Sequence, residues 1–434
     1  MPEQPQHDAA FRRRRGINWL TLGLTYATFY MGRYNFSVAQ KSLSDEFGWS
    51  KGDVGWILTA GLWVYAISTV VNGPLTDRFG GRRVLLVGTA GAAVGNILFG
   101  LGSFFGLGAK SWLLGYLATA FAINNYFQSF GACAIVKVNA GWFQLRERGV
   151  FGGIFGAMIQ GGRYLTFAVS APLIAWLSWK WGFFLPAALL TVMFFVIWRN
   201  VQDTPVAAGL PPLDTGDDSD DVVGRVPFSY LLKRVYTNPT MLTLMAASFC
   251  IGFSRQGLDQ WMARYFQEVH KLTPFSLNFQ LLGSGAPLFG IAGGLIAGTA
   301  SDRLFGSRRP PVIFIFFLGQ LLFFGLLSQA VGPWAALGAI LGASLCITAC
   351  HSLIAGVASM DFGGKHAAGS AAGIIDGVQY LAGGVTGHWM GNWLERYGWG
   401  NWAYMLMPTA FAGACLMAAI WRADPRTKAV AAAA

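Results

Sequence analysis

The sequence predicts an all-α membrane protein of twelve transmembrane helices arranged as two pseudo-symmetric six-helix bundles. Three observations carry this. Of 434 residues, 54% are hydrophobic and only 12% charged, against roughly 25% charged in soluble domains, and the mean hydropathy is +0.46. Apolar blocks recur along the whole chain, each close to the ~20 residues that cross a bilayer as a helix. A loop signature that follows the second block returns after the eighth, six blocks later.

Taken in order, the first span, 17–37, follows Arg12 to Arg15. That basic stretch resembles a signal-peptide n-region, but no small-residue cleavage site follows, so a retained helix is expected. The second span, 54–76, ends in Gly73-Pro-Leu-Thr-Asp77-Arg78-Phe-Gly80-Gly-Arg82-Arg83, before the third at 83–105. The fourth, 112–139, carries Lys137 near its end, a position from which a lysine snorkels to the interface. The fifth, 149–176, opens on Gly152-Gly-Ile-Phe-Gly156, a small-residue run suited to close helix packing and lacking the strand-to-helix turn of a phosphate loop. The sixth is 181–199, the seventh 241–263 and the eighth 277–300, which ends in Gly298-Thr-Ala-Ser-Asp302-Arg303-Leu-Phe-Gly306-Ser-Arg308-Arg309. Spans at 310–331, 333–358, 368–394 and 400–421 complete the set.

The sixth and seventh spans are separated by the one long polar break, 200–238, which holds four prolines and Asp214, Asp217, Asp218, Asp220 and Asp221. The acidic cluster lacks the alternating ligands, central glycine and closing glutamate of a calcium loop, so it reads as a solvated linker. The expected organisation is a terminal segment 1–16, a bundle 17–199, the linker 200–238, a bundle 239–421 and a tail 422–434. With both termini in the cytoplasm, cytoplasmic segments hold 20 lysines and arginines and outer loops seven, the positive-inside pattern of a bacterial inner-membrane protein. The net charge of +11 is therefore mostly topology, and no nucleic-acid partner is implied. Cys133, Cys250, Cys346, Cys350 and Cys415 show no paired CxxC spacing, so neither disulfide nor zinc is expected. No cofactor is implied.

Arg33 and Arg255 lie deep inside the apolar stretches that open the two halves. A charge at mid-bilayer depth costs about 2.5–3.5 kcal/mol on insertion scales and marks a functional site. Matched placement in two repeated halves points to one central anion site. A guanidinium stays charged and grips phosphate oxygens with a planar fork. Tyr26, Tyr30 and Arg33, spaced four and three apart, share a face of the first helix.

The doubled G-x-x-x-D-R signature resembles that of the major facilitator superfamily. Its aspartates and arginines (Asp77, Arg78, Arg82, Asp302, Arg303) suit a conformational latch at the cytoplasmic helix ends. Further stretches resemble the organophosphate:phosphate antiporters, relatives of the glycerol-3-phosphate and hexose-phosphate transporters. They are Asp203-Thr-Pro…Gly209-Leu-Pro-Pro-Leu-Asp214, Arg146-Glu-Arg-Gly149, Arg255-Gln-Gly257 with Trp261 and Tyr265-Phe-Gln-Glu268, and Lys365-His-Ala-Ala-Gly369 leading to Tyr380-Leu-Ala-Gly-Gly384. The resemblance implies Arg33 and Arg255 as the substrate clamp, with Tyr65 and Tyr380 as pocket tyrosines.

The chain departs from that pattern where a family lysine is Thr69 and a family histidine is Ile159, beside Gln160. Arg163, Asp376 and His351 are added, and Asp259 follows Arg255 by four. Two readings stand for these. Arg163 replaces the lost cationic contact and Asp376 meets a cationic or hydroxyl part of the substrate; or Arg163 pairs with Asp376 or a lipid headgroup and Asp259 balances Arg255 within one helix. His351 reads as a hydrogen-bonded helix contact. The expected function is exchange of an organophosphate or phosphonate for inorganic phosphate by a monomer, with no enzymatic chemistry. Proton-coupled uptake of a carboxylate or other organic anion, with Asp376 titrating, is the alternative. A transporter-like membrane sensor is a third, against which the expected lack of a further cytoplasmic domain counts.

Overall fold

The computed structural model describes residues 9–105, 110–144, 158, 160–213, 239–306, 308–354 and 368–422, and side chains from 374 onward in the last of these. Arg146, Arg148, the Gly152–Gly156 run, Ile159, the acidic cluster and Lys365 lie outside the described residues.

The first half contains α1 (Ala9–Phe47), α2 (Lys51–Phe79), α3 (Gly81–Leu101), α4 (Lys110–Trp142), α5 (160–176) and α6 (Trp181–Asn200). The second contains α7 (Pro239–Asp259, resumed at Met262–Glu268), α8 (Leu277–Leu304), α9 (Arg309–Ser328), α10 (Pro333–His351), α11 (Ala368–Tyr397) and α12 (Trp402–Ala419). Among the described residues there is no strand. Each helix overlaps one predicted span. The first is longer than predicted at both ends, because the Arg12–Arg15 arm is itself helical and Val38, Ala39, Gln40 and Leu43 stay buried beyond the apolar block.

Seven helices are apolar enough along an 18-residue window to cross a membrane on composition: α2, α3, α6, α8, α9, α10 and α12. The other five, α1, α4, α5, α7 and α11, hold Arg33, Gln128, Arg163, Arg255 and Asp376. Along α1, α4, α7 and α11 the lower hydropathy reflects the polar side chains they turn inward, away from lipid.

The repeated loops have a concrete backbone cause. Gly80 follows α2 at φ 87°, and its N–H closes the helix on Thr76 O at 3.0 Å. Gly306, at the matching place after α8, has φ 57°. Side chains other than glycine strain at such φ. Charged residues of the same loops bind within their own half or to the start of the linker. Asp77 pairs with Lys137 at 2.9 Å and Asp302 with Arg309 at 2.7 Å. The Arg82 N–H donates to Asp203 at 2.7 Å and its guanidinium to Trp198 O. Arg78 lies over the Phe79 ring, and Arg303 is exposed. Lys137 thus has an ion-pair partner in addition to its position near a helix end.

Contacts between halves gather at the end opposite these loops, here the far end. Lys51 pairs with Glu268 at 3.1 Å and Glu395 at 3.6 Å, and Gln40 donates to Gln260 O at 2.8 Å. Burial pushes the Glu268 carboxyl up, but Arg264, the Trp399 indole and Lys51 more than offset this and hold it below the ordinary carboxylate range. Beneath that seal α2 and α11 meet backbone to backbone. A Cβ on Gly55 would lie 2.3 Å from Gly387 O, and one on Gly387 would lie 2.4 Å from Gly55 O. No side-chain rotation relieves a clash with a carbonyl. Gly387→Ala is therefore expected to force the far end apart. A cysteine placed at Gln40, which is 1% exposed and touches the other half, should become reactive to an impermeant thiol reagent several-fold faster in that variant. Unchanged reactivity would show that the glycine contact does not hold the seal.

Candidate functional site

The central site forms where α1, α2, α7 and α11 meet at mid-height. Arg33 is 2% exposed. Its Nε donates to Gln128 Oε1 at 3.0 Å and its Nη1 to the Tyr380 hydroxyl at 3.1 Å. The guanidinium lies 4.2 Å from the Tyr65 ring centre and 5.0 Å from that of Tyr30. Arg255 approaches the same tyrosine from the other half, its guanidinium 5.4 Å from the Tyr380 ring centre. Its Nη1 lies 3.3 Å from a ring nitrogen of His351, whose Nδ1 is 3.0 Å from Gln379 Oε1. One nitrogen on each arginine, Arg33 Nη2 and Arg255 Nε, is buried with no partner among the described residues. Two guanidinium groups from opposite halves thus flank one tyrosine, and each keeps a donor in hand.

Tyr26 and Tyr30 come together on α1 as their spacing predicted, and three further tyrosine rings gather beside them. Tyr26 and Tyr30 meet edge to face at 5.3 Å, Tyr30 stacks on Tyr34 at 5.7 Å, and Tyr65 lies 4.2 Å from Tyr380. Tyr26, Tyr65 and Tyr380 are all buried.

Arg163 does not pair with Asp376. It forms an ion pair with Asp259 at 2.5 Å, side-chain exposures being 11% and 5%, and its guanidinium lies over Tyr34 at 5.0 Å. Asp259 accordingly does not balance Arg255 within α7. Both follow Arg255 and Arg33 toward the far end, Asp259 by four residues, about 6 Å at 1.5 Å per residue, and Tyr34 by one. The pair roofs the site and joins α5 of one half to α7 of the other. Immediately after Arg163, Thr166–Ser170 forms a π-helical turn, and another, 352–354, follows His351. Such turns re-aim side chains inside a helix and favour functional sites. Gln160 sits one turn below Arg163, its Oε1 buried and without a partner. Asp376 lies one turn from Tyr380 on the side away from the roof, half-buried, in the field of Arg255 and Arg33.

A model of the Major Facilitator Superfamily matches residues 22–387, most of the chain. The chain belongs to this superfamily. As a major facilitator protein it is a transporter and not an enzyme, a multi-pass protein of the inner membrane. It is 28% identical to the glycerol-3-phosphate transporter of Bacillus subtilis, over 97% of this chain and 95% of that protein. It is 27% identical to the membrane sensor protein UhpC of Salmonella typhimurium, over 94% and 92%. It is 25% identical to a probable hexose phosphate transport protein of Chlamydia trachomatis, over 98% and 94%. These relatives match the organophosphate:phosphate antiporter resemblance. The nucleoside transporter NupG superposes with a TM-score of 0.70 at 13% identity, over 93% of this chain and 99% of that one, which speaks for the fold alone.

One part of the facilitator site went unread in the sequence. Gln128 holds Arg33 and donates to Asn124 Oδ1 at 3.0 Å; Asn96 donates to the same oxygen at 2.9 Å, and Asn35 to Asn96 Oδ1 at 3.0 Å. All four amides are buried. The available signal was Asn124 and Gln128, four apart in an otherwise apolar span, where a buried amide needs a partner. Gln128→Ala leaves Arg33 Nε unpaired. A hydrogen bond to a charged group is worth about 1.5–3 kcal/mol, so the variant is expected to bind inorganic phosphate roughly ten- to a hundredfold more weakly, as measured by competition. Unchanged affinity would mean that the guanidinium is positioned by the tyrosines alone.

Proposed function

We propose that this transporter exchanges an organophosphate or phosphonate anion for inorganic phosphate by alternating access. The carrying observation is the pair of guanidinium groups from opposite halves, each with a buried nitrogen that no atom of the described residues satisfies. An unsatisfied buried donor costs about 1–3 kcal/mol, and a tetrahedral anion with several acceptor oxygens satisfies both at once while drawing the halves together. On this reading Arg33, Arg255, Tyr26, Tyr30, Tyr65 and Tyr380 surround the substrate, and Gln160 and Asp376 face its remainder.

The halves 17–199 and 239–421 act as the two rocking bodies, joined by the linker 200–238. The positive-inside count puts the loops of Gly80 and Gly306 in the cytoplasm. The far end is then the outer side, and it is sealed. The proposed latch roles of Asp77, Arg78, Arg82, Asp302 and Arg303 belong to the opposite conformation, since Asp77 pairs with Lys137, Asp302 with Arg309 and the Arg82 guanidinium with Trp198 O, each inside one half.

The test is labelled-phosphate exchange in proteoliposomes loaded with unlabelled phosphate, competed with organophosphates and carboxylates. Rapid exchange blocked by phosphorylated compounds is the expected result. Carboxylate uptake driven by a proton gradient, without phosphate exchange, would overturn it in favour of proton coupling through Asp376. The likeness to a membrane sensor gives a second reading, in which the same clamp reports a phosphorylated ligand to a partner. Exchange by the purified protein alone counts against a sensor that does not transport.

A further inference from the structure

The charges at the site do not close around a phosphate dianion. Arg163 and Asp259 cancel in the roof, leaving two guanidinium groups and Asp376. Among the described residues Asp376 has no ion-pair partner within 4.0 Å and accepts no hydrogen bond. Its carboxylate feels Arg255 and Arg33, and it acts in turn on the phenols of Tyr26, Tyr30 and Tyr65. It is half-buried on the same helix as Tyr380, one turn away. Its height matters as much as its charge. The roof closes the site one turn above the clamp, so a substrate whose phosphate lies between Arg33 and Arg255 must send its carbon chain downward. That direction leads past Asp376, one turn below Tyr380, and past Tyr26 and Tyr30, which precede Arg33 on α1.

Resting on the phosphate reading above, we propose that the preferred substrate is a phosphate or phosphonate whose carbon chain carries a primary ammonium, and that Asp376 is the residue that reads it. Two guanidinium groups, one carboxylate, a phosphate dianion and one ammonium sum to zero. A dianion with a neutral hydroxylated chain leaves one negative charge in a region where an uncompensated charge is costly. A carboxylated chain adds a second, repelled by Asp376. The aromatic faces of Tyr26, Tyr30 and Tyr65 also attract a cation and offer nothing comparable to a carboxylate.

The decisive comparison uses two nearly isosteric probes, 2-aminoethyl phosphate and 2-hydroxyethyl phosphate, as competitors of labelled-phosphate exchange in proteoliposomes. The ratio of their inhibitory concentrations is read within each protein, so a change in overall rate cancels. Wild type is expected to favour the amine by about tenfold, equivalent to 1.4 kcal/mol. Asp376→Asn should bring the ratio to within about twofold of one, and Asp376→Glu should keep its direction, since the charge rather than the geometry sets the preference. Should the Asn variant fail to assemble, the wild type still decides: an N-methylated aminoethyl phosphate keeps the advantage and an N-acetylated one, which is uncharged at nitrogen, loses it. A wild-type ratio near one, or a preference that survives Asp376→Asn, overturns the assignment while leaving phosphate exchange standing. Absence of any phosphate exchange in well-folded protein overturns both.

Discussion

Arg33→Lys should abolish measurable phosphate exchange while leaving the protein folded. The lysine keeps the positive charge, so any loss reports on geometry. The guanidinium makes two directed bonds at once, to Gln128 at 3.0 Å and Tyr380 at 3.1 Å, and lies flat over Tyr65 at 4.2 Å. It still has Nη2 free for substrate. An ammonium on a flexible stem cannot hold a fixed fork against two protein partners and an anion together. Losing two charge-assisted contacts at about 1.5–3 kcal/mol each corresponds to a fall of at least about a hundredfold in exchange at low phosphate. Arg255→Lys should fall similarly, since it faces the same Tyr380 ring from the other half. The check is exchange in proteoliposomes alongside thermal unfolding in detergent. Near-normal exchange in either variant would remove the clamp. A large drop in unfolding temperature would instead mark the arginine as a packing element.

The second large effect concerns the roof. Asp259→Asn, which keeps shape and removes charge, leaves Arg163 buried without its counter-charge beneath the outer seal. Breaking one side of a buried pair costs about 3–5 kcal/mol. The expected result is a marked loss of thermal stability and release of the far-end closure, read as faster labelling of an outer-side cysteine. Arg163→Met combined with Asp259→Leu should recover most of that stability, because replacing both partners removes the desolvation problem with the charges. The double variant separates two ideas that the single changes confuse. If the pair only packs, the double variant exchanges phosphate normally. If it also times opening and closing, the double variant is stable yet biased toward the sealed state and slow. Single variants with wild-type stability and labelling would remove the roof altogether.

The comparison of sequence with structure divides by the range of the interaction. Helix number, the repeated loops and the central arginines were legible because each rests on local chemistry. An apolar block must satisfy its backbone internally in lipid, a glycine must take the positive φ at Gly80 and Gly306, and a charge inside a span must face a site. The tyrosines of α1 were legible too, since helical spacing places Tyr26, Tyr30 and Arg33 on one face.

Pairings across the molecule were not legible. Asp259 stood four residues from Arg255, a spacing that suits an intrahelical pair, yet it bonds Arg163 from the other half. That choice depends on how α5 rotates past its π-helical turn and on how near α7 lies, neither of which a sequence period encodes. The amide chain from Asn35 to Gln128 likewise exists only because α1, α3 and α4 converge. The sequence by itself determined that this is a two-fold repeated membrane transporter with a cationic centre. The tertiary structure decided which carboxylate is neutralised in the roof and which, Asp376, has no ion-pair partner among the described residues, because buried charges are settled by the partners that packing brings within reach and not by their neighbours along the chain.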